Sequence, residues 1–322
     1  MEHIYDIVII GGGPGGYTAA LYGARAGLRT LVVEKRAAGG QMALTAQVDN
    51  YPGFEDGIGG FELGIKMEQS ALRFGAETIR ADVKAVYLTG DMKVIETDED
   101  KLYTRCVIIA TGAVPKKLEL AGESEMTGRG VSYCADCDGM FYRGKTAVVV
   151  GGGNSAAADA LVLSRLCKKV AVIHRRDRLR AEKIYYDQLK QMENVEFYWN
   201  SIVDSLLYDE VITGIKVKNK ITGQESILRC EGIFVSIGRT PASELFQGQT
   251  ALDEDGYIIA DETTRTNIPG VFAVGDIRTK AVRQIITAAA DGATAIHYAE
   301  EYLTSLFGHG ESNALHLSEK SV

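Results

Sequence analysis

Cysteine is scarce in this chain, five in 322 residues, and the odd number argues against a secreted disulfide framework, whose cysteines pair off. Cys106, in the run Arg105-Cys106-Val107-Ile108-Ile109, reads as a small apolar residue of a buried strand, and Cys167 and Cys230 read the same way. No apolar run approaches the ~20 residues that span a bilayer, so no membrane segment is expected. Positive charge is short as well. With 35 Lys and Arg against 43 Asp and Glu, the formal net charge is -8, which argues against nucleic acid as a general partner. The apolar run Ile4–Ile10 meets a glycine turn at once and leaves no room for a signal peptide. A cytoplasmic location is expected. Two of the five prolines, Pro115 and Pro241, fall where the pattern of the chain breaks.

Glycine is plentiful, 36 residues, and its placement is repeated. With Gly11 set on Gly151, IYDIVIIGGGPGGYTAALYGARAGLRTLVVEK and KTAVVVGGGNSAAADALVLSRLCKKVAVIHRR run in parallel without a gap. Each has an apolar β-rich run, a glycine turn, an alanine-rich helix and a second β-rich run, the parts of a βαβ unit. Gly11-x-Gly13-Pro14-Gly15-Gly16 and Gly151-Gly152-Gly153-Asn154-Ser155-Ala156 both fit the dinucleotide fingerprint. In that fingerprint the glycines let a pyrophosphate approach backbone N–H groups at a helix N-terminus. An α/β fold is expected, with two Rossmann-like three-layer domains.

The residue that meets the ribose differs between the copies. Glu34, followed by Lys35, ends the second strand of the first copy, where a carboxylate accepts from ribose hydroxyls. The same offset from Gly151 lands on His174, followed by Arg175 and Arg176, with Arg180 one helical turn further on. Arginine forks bind a 2′-phosphate that an acid would repel. The first site therefore suits an unphosphorylated adenosine ribose and the second NADPH. The basic run would also serve as a solvated charge cluster, but it coincides with the ribose offset.

Two later stretches complete a flavin site. Ala110-Thr111-Gly112 follows a buried strand, and Gly275-Asp276 ends another, where a carboxylate meets a ribityl hydroxyl. Arg283-Gln284-Ile285 then starts a helix whose N-terminal dipole favours electron density on a reduced flavin. The first domain is thus discontinuous, over residues 1–114 and 243–322, with residues 115–242 inserted. Gly238, at the return, is counted with the cofactor contacts, and the two ends of the insert form a two-stranded hinge. Within the insert, just before the second fingerprint, stands Cys134-Ala-Asp-Cys137. A dithiol of this spacing stores two electrons as a disulfide. Asp138 follows it, before Gly139, where the plain reading is a turn or cap residue.

These residues resemble the low-molecular-weight, bacterial-type thioredoxin reductases. The resemblance covers residues 4 to 305 and includes Gly39-Gly40-Gln41, Asn50-Tyr51-Pro52-Gly53, Ala110-Thr111-Gly112, Cys134 to Gly139, Gly151 to Ala156, His174 to Asp177, Gly275-Asp276 and Arg283-Gln284. It implies FAD in the first site, with Gly40, Gln41 and Asn50 among its contacts, and NADPH in the second. It also implies a Cys137 that faces the flavin, a Cys134 that attacks thioredoxin, Asp138 as proton donor and acceptor, and a homodimer. No metal site is assigned. Larger relatives carry their cysteines near Gly39-Gly40-Gln41, whereas here no cysteine precedes Cys106. NADPH and the dithiol share one domain and must both reach one flavin, so the inserted domain is expected to swivel. Thioredoxin, near about -270 mV, is poorly served by glutathione, and a NADPH-fed flavin answers that need.

Arg129, Phe141, Tyr142 and Arg143 flank the dithiol as candidate docking residues, and His297 reads as structural. The sequence departs from the family at Ala158, where a glutamate is usual, and at Ala242-Ser243. The end from 308 to 322 reads as polar and mobile. Alternatives are a reductase of another disulfide, such as a glutaredoxin-like protein or a small molecule, a ferredoxin-fed enzyme, and a flavin-bearing redox sensor. Intact pyridine-nucleotide motifs argue against the ferredoxin-fed enzyme, and a sensor would need no intact dithiol beside an NADPH site.

Overall fold

The β-branched runs of both repeats become parallel strands buried on both faces. The computed structural model describes residues 4–45 and 47–307, and the chain divides into two compact units. The first runs to Gln47, continues over Tyr51–Ala113 and resumes at Pro241, while the second is Val114–Thr240 with Val48–Asn50. The end from 308 to 322, read above as mobile, lies outside the described residues.

In the first unit the strands Glu77–Arg80, Thr30–Glu34, Ile4–Ile10, Lys101–Ile109 and Val271–Ala273 lie side by side and all parallel. The chain moves outward from Ile4–Ile10 in one direction and then in the other. A crevice opens at the strand C-terminal ends of such a switch point, where ligands of open α/β sheets bind. Alternation sorts the side chains into two cores. Val8, Ile10, Leu31, Val33, Val107 and Ile109 share one face with Val86, Leu88 and Ile95 of an antiparallel meander. Ile7, Ile9, Val32, Cys106 and Ile108 share the other with Tyr17, Ala20, Ile296 and Ala299 of the covering helices Pro14–Arg25 and Ile285–Phe307. Each such side chain contributes about 1.5–3 kcal/mol by leaving water. The first helix starts on Pro14, whose missing N–H costs nothing there. Its small residues allow backbone contact, since a Cβ on Gly16 would lie 2.0 Å from the Gly11 carbonyl oxygen.

The second unit repeats this plan with Val195–Tyr198, Lys169–Ile173, Thr146–Gly151, Gly232–Ser236 and Val131–Ser132, again all parallel. Helices Asn154–Leu166 and Lys183–Lys190 cover one face, and the meander Ser201–Tyr208, Ile212–Asn219, Glu225–Arg229 covers the other. One strand is permuted. Val131–Ser132 occupies the place that Val271–Ala273 holds in the first unit, but comes first in its unit rather than last. The chain leaves the first unit and returns to it through the paired strands Ala113–Pro115 and Arg239–Pro241. Among the described residues no helix is long and apolar enough to cross a membrane.

Candidate active site

In the first unit, the sequence-predicted residues gather at the strand C-terminal ends. Gly11 to Gly16 follow Ile4–Ile10, Ala110 to Gly112 follow Lys101–Ile109, and Gly275-Asp276 follow Val271–Ala273. Backbone bonds draw these ends together, Ala110 N to Ile10 O at 2.8 Å and Val274 N to Ile109 O at 2.9 Å. Thr111 Oγ1 donates to the Ala242 carbonyl at 2.8 Å, and the Ala242 N–H donates to the Gly112 carbonyl at 3.0 Å. Glu34 is 9% exposed and accepts from Gly12 N at 2.6 Å and Arg36 N at 2.7 Å. A carboxylate has about four acceptor positions, which leaves room for ribose hydroxyls. Gly40 packs on the turn, with Gly39 N donating to Gly12 O at 2.8 Å, and Gln41 is exposed beside it.

Four further candidates have partners or positions of their own. Lys35 pairs with Asp82 at 2.9 Å on an exposed side chain. Asn50 groups with the second unit. Arg283 stacks its guanidinium 4.2 Å over the Tyr257 ring and leaves its buried Nε without a partner. Gln284 precedes Ile285, the first residue of the long helix.

The first turn of Pro14–Arg25 has no acidic residue, its N-cap Gly13 makes no side-chain bond, and a Cβ on Gly13 would meet nothing within 4 Å. Uncapped N–H groups facing open space are what a pyrophosphate requires. With Glu34 alongside, the donors and acceptor fit an adenine dinucleotide such as FAD.

The second unit builds the matching cradle at Gly153 and Asn154–Leu166, again without an acidic first turn or a side-chain cap. Ser155 is exposed at this turn, and Ala156 packs under Gly151. Asn154 exchanges two 2.8 Å bonds with Glu182, which pins the start of the helix. His174 is buried, donates its backbone N–H to Tyr198 O at 3.0 Å, and leaves its Nε2 without a partner. Burial first, and then Arg180, Arg176 and Arg175, hold its pKa below the usual histidine value, so the ring is neutral at pH 7. Arg175, Arg176, Asp177, Arg178, Leu179, Arg180 and Asn200 line a cavity of about 590 Å³. Residues 175 to 180 are not helical, contrary to the expected turn of helix. Arg180 reaches the site because its N–H donates to Gly152 O at 2.6 Å, which bends the segment back over the turn. Four arginines around one cavity fit a phosphate on the ribose. Gly238 lies in the ribbon, accepting from Lys116 N at 3.0 Å.

Cys134 and Cys137 form a disulfide. They follow the edge strand Val131–Ser132, at the same end of the sheet as the Gly151 to Ala156 turn. The dithiol therefore stands where Gly275-Asp276 stands in the first unit. Asp138 accepts from Ser132 Oγ at 2.6 Å, and Ser132 Oγ also accepts from Cys134 N at 3.1 Å. Burial raises the Asp138 pKa, and the Ser132 bond partly offsets that rise. Cys106, Cys167 and Cys230 are free and buried. Burial pushes their thiols up to about 12, 11 and 12, which makes them inert. His297, read as structural, is exposed and sits 3.6 Å from Glu301.

Two groups escaped the sequence reading. Ser132 has no motif of its own. Asp291 is a buried carboxylate that accepts from Arg278 at 2.8 and 2.9 Å, Lys280 at 2.9 Å and Gly275 N at 2.8 Å. It braces the turn before Asp276. Its one visible signal was a charge within the small-residue run from Ala288 to Ala293.

Two three-layer nucleotide folds, the second inserted into the first, with a disulfide at the same sheet end as the second cradle, define a pyridine nucleotide-linked disulfide oxidoreductase. The pyridine nucleotide-disulphide oxidoreductase family profile matches residues 5–292. Thioredoxin reductase of Listeria monocytogenes serovar 1/2a (strain ATCC BAA-679 / EGD-e) is 46% identical over 306 residues, which cover 95% of this chain and 96% of that protein. Thioredoxin reductase of Bacillus subtilis (strain 168) is 44% identical over 306 residues, 95% of this chain and 96% of its own. The crystal structure of thioredoxin reductase from Streptococcus pyogenes MGAS5005 superposes with a TM-score of 0.88 at 42% identity, covering 95% of this chain and 100% of that one. The chain belongs to the pyridine nucleotide-disulphide oxidoreductases, and within them to the thioredoxin reductases.

Proposed function

We propose that the chain is an NADPH-dependent thioredoxin-disulfide reductase that holds FAD in its first unit. The observation that carries this reading is the position of the Cys134–Cys137 disulfide, at the same sheet end as a nucleotide turn flanked by four arginines. When bound, FAD and NADPH supply the passage of a hydride equivalent from nicotinamide through flavin to the disulfide.

The chain's own residues do the rest. Gly13 and Gly153 open the two pyrophosphate cradles, Glu34 orients one ribose, and Arg175, Arg176 and Arg180 hold the phosphate on the other. Cys137 takes the electron pair, the S–S bond breaks, and Cys134 leaves as a thiolate. Asp138, kept protonated further up the pH scale than an ordinary carboxyl, gives its Oδ proton to a thiolate and later recovers it. Cys134 then attacks the thioredoxin disulfide and expels one of its sulfurs. Cys137 attacks the mixed disulfide, which restores Cys134–Cys137 and releases dithiol thioredoxin. Exposed Met140 and Phe141 beside the pair suit an apolar patch on that partner.

Each turnover needs the second unit to bring nicotinamide and then the disulfide to the flavin, by motion about the paired ribbon. A cross-link between the units that left turnover intact would sink that part. A homodimer in the cytoplasm belongs to the same reading. The test is anaerobic titration with NADPH and with NADH, followed by addition of thioredoxin, with Cys134→Ser as control. NADPH bleaches the flavin, NADH does so far less well, and only the unaltered pair passes electrons on. Unbleached flavin would overturn the reading, and bleached flavin with thioredoxin still oxidised would move the acceptor to another disulfide.

A further inference from the structure

The segment that carries the arginines runs from His174 to Glu182, between the strand Lys169–Ile173 and the helix Lys183–Lys190. Its start is tied to the chain beyond the next strand, since the Asn200 N–H donates to the Arg176 carbonyl at 2.9 Å. Its end is tied to the nucleotide turn. The Arg180 N–H donates to the Gly152 carbonyl at 2.6 Å. Two residues further on, Asn154 Nδ2 donates to Glu182 Oε1 at 2.8 Å, and the Glu182 backbone N–H donates to Asn154 Oδ1 at 2.8 Å.

This pairing is not the bond that the local sequence offers Glu182. It is the N-cap residue of Lys183–Lys190, yet its side chain makes no capping bond to that helix. An acid there could accept from the unpaired N–H groups of the first turn. The carboxylate turns to Asn154 instead. Two bonds from one side-chain amide fix both the position and the orientation of residue 182, and with it the peptide that follows Arg180. Arg175, Arg176, Arg178 and Arg180 carry like charge around one cavity, so they repel one another while nothing neutralises them. A segment tied at both ends keeps them converged, and a ligand then meets a site that needs no further ordering. The reaction sequence above gives Glu182 no task.

We propose that Glu182 is a positioning residue that sets nucleotide specificity: latched to Asn154, it holds the arginine segment over the glycine turn in the arrangement that selects a 2′-phosphate. This inference rests on the reading of the arginine cavity as the site of that phosphate. Its sign is opposite to that of simple electrostatics. A carboxylate close to four arginines lowers the positive potential around them, so its removal by charge alone would strengthen phosphate binding. A latch that positions those arginines gives the reverse, weaker phosphate binding when the carboxylate is lost. The effect falls on the 2′-phosphate, because the uncapped N–H groups of the pyrophosphate cradle belong to the helix Asn154–Leu166 and do not depend on Glu182.

The test is calorimetric titration of the purified full chain, with its flavin, by adenosine 2′,5′-bisphosphate and by adenosine 5′-monophosphate, which differ in the 2′-phosphate. The unaltered chain binds the bisphosphate more tightly. Glu182→Ala lowers that preference by ~3- to 10-fold, through the bisphosphate and not the monophosphate. Glu182→Gln, which loses the charge but keeps an oxygen to accept from Asn154, retains the preference. Asn154→Ala breaks the same pair from the other side and carries the test if Glu182→Ala fails to fold. The two alanine changes combined lower the preference no further than the larger one alone. A preference unmoved or increased in Glu182→Ala overturns the inference and leaves the reading of the cavity standing. An unaltered chain without any preference overturns that reading and the inference with it.

Discussion

The imidazole of His174 lies directly on the backbone of Gly152, where a β-carbon would sit 2.1 Å from its Cε1. The ring has nowhere to go, because the residue's backbone is bonded to Tyr198 on one side and Ser201 on the other, at 3.0 and 2.9 Å. Gly152→Ala therefore displaces the ring and the arginines behind it, at a cost of about 1–3 kcal/mol for overpacking. NADP⁺ affinity falls by ~10-fold or more. The only tryptophan, Trp199, reports it by fluorescence, since its ring centroid is 6.4 Å from that of His174. Unchanged quenching by NADP⁺ would place the nucleotide elsewhere.

On the proposed reading, the arginine cavity sets the choice of nicotinamide nucleotide. Arg175→Ala and Arg176→Ala each raise KM for NADPH by ~10-fold or more and leave KM for NADH nearly unchanged, because only the 2′-phosphate is lost as a partner. Parallel rises for both nucleotides would show that these arginines are merely structural.

Asp138 makes the pH dependence specific. Burial raises its pKa and Ser132 lowers it, so Ser132→Ala raises it further. A donor carboxyl fails as pH rises through its pKa, and the alkaline fall of kcat moves to higher pH in Ser132→Ala. The stability term has the same sign. It is fully present below the ordinary carboxylate pKa and lost as pH rises through the raised one. Asp138→Asn removes the limb and slows turnover by ~100-fold or more. Steady-state profiles of the three proteins decide the matter, and a limb that survives in Asp138→Asn belongs to another group.

Asp291 carries the opposite sign. Burial raises its pKa, but the bonds from Arg278 and Lys280 outweigh that and hold it low. Its contribution is present above the unfolded carboxylate pKa and lost as pH falls through the folded value. Asp291→Ala leaves two buried cations uncompensated and costs about 3–5 kcal/mol at neutral pH. The difference in melting temperature from wild type shrinks towards acid, and FAD release quickens because the Gly275 turn loses its brace. A difference that grew in acid would contradict the ion pair.

Much of this site was legible because its signals are local. The glycine fingerprints need only six adjacent residues, the βαβ repeat only one strand–helix–strand period, and the reactive spacing of Cys134 and Cys137 only one turn. Glu34 and His174 stand at matching places because the strand length sets the offset from the glycines. Ser132 was missed because its partner Asp138 curls back through a turn that no residue pattern announces. Asp291 was missed because its partners, Arg278 and Gly275, meet it only across packed elements.

By itself the sequence determined two nucleotide folds, their order along the chain, the pair of closely spaced cysteines and the opposite charge of Glu34 and Arg175-Arg176 in the two copies. Each of these is set by neighbours within about thirty residues, the length of a βαβ unit. Only the tertiary structure decided that the strand before the dithiol occupies the position of the strand before Gly275-Asp276. Strand order in a sheet is chosen by burial of both faces, which no local pattern encodes, and that order sets Cys134 and Cys137 at the same sheet end as the second nucleotide turn.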